Sequence, residues 1–339
     1  MRSQRFGIEM EMTGIPRKKA AEVIAAYFDT HEVYDGGSYD AYHVTDGQGR
    51  RWKVVSDASI HQTARDGRSA STLYKVEGVS PICHYEDIET IQELVRKLRH
   101  AGACVNRSCG IHIHVDAAPH SVKTLRNLVN IMVSKEDLLY KALAVDVARE
   151  DHYCQKTDLS FLEELNRKKP KSIENFERMW YHGDSRHFDH YDETRYHALN
   201  LHSVFSKGTI EFRLFNGTMH AGKVKTYIQL SLAISHQALV QKGASHSRTK
   251  STNEKYTFRT WLLRLGMIGE EFQTARKFLL ENLEGNIAWK DPAQAERQKE
   301  RLAARRMEEA QSIQGVETEE TPEQECETQQ DEGFSLQMF

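Results

Sequence analysis

The chain has 339 residues, 39% of them hydrophobic, enough to bury a sizeable core in one large domain or two. Its formal charge of −3 hides an asymmetry: residues 315–339 carry eight carboxylates and no Lys or Arg, so residues 1–314 stand at +5. That balance suits an anionic small ligand such as a nucleotide and is too weak to argue for nucleic acid.

Five cysteines with no CxxC pair argue against a disulfide framework, and no apolar leader or membrane-length apolar run is present. A cytoplasmic setting without membrane partners is therefore expected. Residues 5–13 alternate as a strand, with Phe6, Ile8, Met10 and Met12 on one face and Gly7, Glu9, Glu11 and Thr13 on the other. Glu9 and Glu11 thus share a face, roughly 6–7 Å apart. Paired carboxylates beside a core raise each other's pKa, a penalty that a divalent cation removes. The alternative is a surface strand with two solvated glutamates.

Residues 16–28 read as a helix with Ala20, Val23, Ile24 and Tyr27 on one side, and the glycines at 36–37 and 47–49 mark short strands joined by hairpin-like turns. Residues 52–57 and 74–81 read as strands. In the second, Glu77 lies opposite the Tyr74/Val76 face, as a further carboxylate of a polar surface or as a solvated one. Residues 85–101 have helical spacing and a charge order that follows the helix dipole, and Gly102 ends them.

In residues 109–116, Ile111, Ile113 and Val115 oppose His112, His114 and Asp116. Ser121 then caps a long helix with Leu125, Leu128, Val129 and Met132 in its stripe. Residues 149–195 read as less regular, with 181–195 a solvated loop over the site rather than a second metal site. In residues 209–217, Ile210, Phe212 and Leu214 oppose Glu211 and Arg213. Three strands with chemistry on one face and core on the other predict an α+β fold: a curved, mainly antiparallel sheet with a polar catalytic face and helices packed on the other.

Residues 217–224 imitate GxxxxGK, but Val224 replaces the Ser or Thr that would sit on magnesium, so the stretch reads as a Gly-rich strand-to-helix turn. A helix over 223–242 and two shorter ones up to about 283 complete a catalytic unit of residues 1–290. Residues 291–314 read as a charged helix, and 315–339 as a compositionally disordered acidic tail, either a solubilising appendage or a partner-binding arm.

The series Phe6-Gly7-Ile8-Glu9-Met10-Glu11, Trp52 with Asp57 and Ser59, Glu77-Gly78-Val79-Ser80-Pro81, Ser108-Cys109-Gly110-Ile111-His112-Ile113-His114-Val115, and Asn200 before Thr209-Ile210-Glu211-Phe212-Arg213 resembles the amidoligase family. That family is a branch of the carboxylate–amine ligases related to glutamine synthetase and glutamate–cysteine ligase. The resemblance implies a glutamine synthetase-like catalytic fold around ATP, with Mg²⁺ (or Mn²⁺) on Glu9, Glu11, Glu77, Glu211 and His112. By the same match His114 lies nearer the phosphates, Arg213 follows the last glutamate, and Asn200 belongs to the nucleotide side. Glu211, Arg213 and His114 are then the catalytic set.

The implied reaction joins a carboxylate and an amine of unidentified nature, on an amino acid, peptide or protein, through an acyl phosphate. Arg213 would stabilise equatorial phosphoryl oxygens, and the 181–195 loop would close over the intermediate. The rival is a metal-dependent hydrolase of phosphoesterase or amidase type, because HxH beside carboxylates also builds hydrolytic metal sites.

Overall fold

The computed structural model describes residues 1–316. Its strands are β1 (Phe6–Met12), β2 (Glu32–Gly36), β3 (Ala41–Thr45), β4 (Arg51–Val55), β5 (Val76–Val79), β6 (Gly110–Asp116), β7 (Leu199–Asn200) and β8 (Thr209–Asn216). They form one eight-stranded antiparallel sheet in the order β2-β3-β4-β5-β1-β6-β8-β7, so the fold is α+β. The three strands with the strongest alternation are neighbours at its centre, where both faces are covered and side-chain polarity decides the use of each face.

Eleven α-helices accompany the sheet among the described residues: α1 (Arg17–Tyr27), α2 (Ile88–His100), α3 (Val122–Leu143), α4 (Val147–His152), α5 (Leu159–Lys168), α6 (Ile173–Trp180), α7 (His202–Lys207), α8 (Ala221–Val240), α9 (Glu254–Arg264), α10 (Gln273–Glu281) and α11 (Pro292–Val316). Ile8, Ile113 and Phe212 join the buried stripes of α2, α3 and α8 in one apolar core. Ser121 caps α3, accepting from the Thr124 N–H. Met1–Ile287 form one compact unit, and α11 belongs to a second that begins at Ala288. The acidic residues from 317 onward lie outside the described residues. No helix among the described residues is long and apolar enough to cross a membrane.

One local reading is corrected. Residues 149–180, expected to be irregular, carry α4, α5 and α6, each capped by a side chain: Asp146, Asp158 and Ser172 accept from the first-turn N–H groups. Phe161, Leu165, Phe176 and Trp180 bury themselves there in edge-on aromatic contacts, so local caps and a small apolar cluster order a stretch dominated by charge. The P-loop mimic is explained by packing. Gly217 donates its N–H to the Cys109 carbonyl, and a Cβ on it would overlap Cys109. His220 Nδ1 accepts from the Gly222 and Lys223 N–H groups, so the start of α8 is capped by its own chain.

Candidate active site

Antiparallel register sets the site. Glu11 faces Glu77 across β1–β5, Glu9 faces His112 across β1–β6, and His114 faces Glu211 across β6–β8. Period-two alternation therefore lays six chemistry-bearing side chains across four adjacent strands on one face. A register irregularity between Ile111 and Ile113 interrupts the β6–β8 ladder beside Arg213.

The resulting cluster is dense and carboxylate-rich. His112 Nδ1 lies 3.1 Å from Glu9 Oε2 and 3.8 Å from Glu211 Oε1, while its Nε2 lies 3.7 Å from Glu11 Oε1. His114 Nε2 stands 3.2 Å from Glu9 Oε1, and its Nδ1 bonds Thr209 Oγ1 at 3.0 Å. Glu211 is 2% exposed and held on three sides: Arg213 Nη1 donates to Oε1 at 2.6 Å, and Asn200 Nδ2 and Ser203 Oγ donate to Oε2 at 2.7 and 2.8 Å. Glu11 accepts the Gly110 N–H at 2.6 Å.

Charge is unevenly balanced across this cluster. Burial, then the Glu9, Glu11 and Asp57 carboxylates, push the Glu77 carboxyl well above its usual value; burial also raises Glu11. Burial alone would raise Glu9, but the His114 and His112 imidazoles hold it well below the usual range. Arg213 and both histidines overcome burial at Glu211 in the same way. His114 is raised, because Glu9 and Glu211 outweigh the desolvation that would lower it.

Two donor sets, Glu9/His112/Glu211 and Glu11/Glu77/His112, each bring three ligand atoms within 4.8 Å of one another. Four carboxylates against two imidazoles fit a hard divalent cation such as Mg²⁺ or Mn²⁺, and the raised Glu77 and Glu11 carboxyls show where positive charge is wanting.

A cavity of about 430 Å³ opens on the cluster. Glu9, Glu11, Glu77, His112 and Arg213 line it together with Asp57 and, from the 181–195 loop, His190, Tyr191 and Arg195. A neighbouring cavity of about 380 Å³ shares Glu9, Val79 and Lys207 with the first and adds His114, Phe6, Pro81 and Ile82. A family model described as "putative amidoligase enzyme" matches residues 2–235, a span that contains every strand of the sheet and every residue of the cluster. The chain belongs to the amidoligase family. No curated protein matches it. Amidoligase membership supports an enzyme of ligase type.

Of the residues expected at the amidoligase site, Glu9, Glu11, Glu77, His112, His114, Glu211 and Arg213 come together. Asn200, expected on the nucleotide side, is 1% exposed behind Glu211 and lines neither cavity. Asp116, read on the same polar face, is ion-paired to Arg5 at 2.6 Å at the end of β6. Two cations escaped sequence reasoning. Lys207, the last residue of α7 before the left-handed Gly208, reaches within 3.7 Å of Glu9 and lines both cavities. The short helix stop ahead of the Glu211 strand was its signal. Arg149 enters from α4, and nothing in its local sequence announces it.

Proposed function

We propose that this chain is an ATP- and Mg²⁺-dependent carboxylate–amine ligase of glutamine synthetase-like fold, forming an amide or isopeptide bond through an acyl phosphate. The observation that carries this reading is the pair of adjoining carboxylate-rich donor sets at the meeting point of two cavities. One cavity has an apolar wall of Phe6, Pro81 and Ile82 suited to a nucleoside; the other is polar and suited to the acceptor and the amine.

Glu9, Glu11, Glu77, His112 and Glu211 would hold the divalent cation, which would supply positive charge against the phosphates of ATP. The substrate carboxylate oxygen attacks the γ-phosphorus while the bond to the ADP oxygen breaks; the amine nitrogen then forms the C–N bond as inorganic phosphate leaves. Arg213 lines the cavity with Nη1 fixed on Glu211, so its planar fork is preorganised for developing charge on the phosphoryl oxygens. Lys207 and His114 flank Glu9 on the side of the apolar-walled cavity and steer phosphate oxygens there. Asp57, whose Oδ1 accepts from the Ser59 N–H, lines the polar cavity and would take the ammonium proton of the incoming amine. Tyr191 and Arg195 contribute the lid that keeps water from the intermediate.

The test is incubation of the purified chain with ATP, Mg²⁺ and pooled carboxylates and amines, read by ADP release and by mass spectrometry of the products. The ligase reading expects ADP and a new amide in equal amounts. Tight stoichiometric zinc with phosphoesterase or amidase activity, and no nucleotide use, would establish the hydrolase instead.

A further inference from the structure

Arg149 is a buried cation that the proposed metal site does not use. Its residue is 2% exposed, yet among the described residues no carboxylate lies within ion-pair distance of it. Its side-chain hydrogen bond is Nη2 to the Arg213 carbonyl at 3.2 Å, and Nε is buried without a partner. Of the other cations lining this cavity, Arg213 is buried but paired with Glu211, and Lys53, Arg195 and Lys207 are at least partly solvated. Glu11 feels its charge from beyond ion-pair distance, but a buried guanidinium without a hydrogen-bonded anion is costly, and an anion would meet it.

The strand beside Arg149 is shaped around it. A Cβ on Gly110 would overlap the Arg149 guanidinium, so β6 forgoes a side chain at its first residue and the flat group lies against the backbone. From there Arg149 faces the 430 Å³ cavity beside Glu11, Ser108, Tyr153 and Arg213. Register separates it from the phosphate-steering cation: Gly110 pairs with Asn216 at one end of the β6–β8 ladder, and Asp116 pairs with Thr209, next to Lys207, at the other. Six strand steps place those ends roughly 20 Å apart.

We propose that Arg149 is the anchor for the substrate carboxylate, binding it through the planar guanidinium fork at the Glu11 end of the cluster. A carboxylate matches that fork in shape and charge. The assignment of this anion to the acceptor rather than to ATP rests on the ligase reading; the presence of an anion site at Arg149 does not.

The experiment is calorimetric titration of the full chain with glutarate and, separately, with inorganic phosphate, each with Mg²⁺ at constant ionic strength. Wild type, Arg149→Met and Arg149→Lys are compared, with a melting temperature for each. Glutarate should bind wild type and bind about tenfold or more weakly in Arg149→Met, with phosphate changed by less than about twofold, since one charge-assisted pair is lost. Arg149→Lys should recover part of the affinity. The melting temperature of Arg149→Met should change little, because removal of a buried charge without an ion pair offsets the loss of its pull on Glu11 and of its bond to the Arg213 carbonyl. A lower melting temperature with anion binding intact would reduce Arg149 to a structural tie and overturn the proposal. Loss of phosphate binding alone would give Arg149 to the phosphoryl group; absence of glutarate binding to wild type would equally overturn the anchor. Failure of the ligase reading has a different signature, an Arg149-dependent anion site in a chain that never uses ATP.

Discussion

At the scale of single residues, the cluster opposes stability to function. Glu9, Glu11 and Glu77 share a face and are balanced by Lys207, the two imidazoles and, near Glu11, Arg149, because Arg213 is bound to Glu211. Glu11→Gln keeps shape and removes a charge that burial disfavours, so the metal-free melting temperature should hold or rise; Glu9→Gln loses the imidazole pairing that holds Glu9 ionised, so its melting temperature should fall; in both, Mg²⁺ and nucleotide affinity should fall, as titration and thermal melts would show. His112→Ala should match the glutamate variants in losing both affinities. Arg213→Lys keeps charge and loses the fork, so ATP should still bind while turnover falls on the order of a hundredfold. Silence of Arg213→Lys in steady-state kinetics would remove that residue from the chemistry without touching the metal site.

The residues on strand faces were legible because alternation alone tells which side chains share a surface: Glu9 with Glu11, His112 with His114, Glu211 with Arg213. Lys207 and Arg149 were not, because they reach the cluster from short helices whose placement depends on tertiary contacts. Asn200 was found by pattern, but its bond to Glu211 is visible only once β7 pairs with β8.

At the scale of elements, the β3–β4 turn shows how one cation ties an edge of the sheet to the helix layer. Arg50 bonds Asp46 at 2.9 Å and Asp87, just ahead of α2, at 2.8 and 2.9 Å. Burial would raise Asp46, but the Trp52 indole N–H and Arg50 bring it below its ordinary value; Arg50 and the His84 N–H do the same for Asp87. Depressed carboxyls contribute stability that is present above their unfolded pKa of about 4 and lost as pH falls through the lower folded values. Arg50→Ala should cost about 2–3 kcal/mol at neutral pH, and the gap to wild type should narrow as pH falls below about 4, because only wild type has the depressed carboxyls whose stabilisation is lost there, a convergence that denaturant melts across the acid range would detect. Parallel acid profiles for the two proteins would show that Arg50 does not control these carboxyls.

Long elements with a clean period were readable from sequence: α8 lies within two residues of its expected limits, α2 within three, and α3 starts at the expected Ser121 cap. The helices α4, α5 and α6 were hidden because they are 6, 10 and 8 residues long and owe their ends to Asp146, Asp158 and Ser172 rather than to an extended stripe. His220 is a related case. As the cap of α8 it should be worth about 1 kcal/mol, and His220→Ala should lower the melting temperature while leaving nucleotide affinity unchanged.

At the scale of the whole molecule, the sheet has two jobs: one face is built into the apolar core and the other carries the candidate site. The family-matched span ends at residue 235, inside α8, yet Phe258, Trp261, Leu262, Phe272 and Leu279 beyond it are buried, with α10 packed on α3 and α8. A chain cut after residue 235 should therefore lose cooperative melting, since removing those side chains uncovers the outer side of α8. Calorimetry showing a sharp transition for that fragment would make α9 and α10 dispensable.

The central claim is that the carboxylate–histidine cluster holds a divalent cation through which nucleotide is bound. The most direct measurement is calorimetric titration of wild-type protein with ATP in Mg²⁺ and again in excess chelator. The account predicts saturable ATP binding with Mg²⁺ or Mn²⁺ and a loss of affinity on the order of a hundredfold or more with chelator, the equivalent of about 3 kcal/mol. Equal affinity in the two conditions would contradict it.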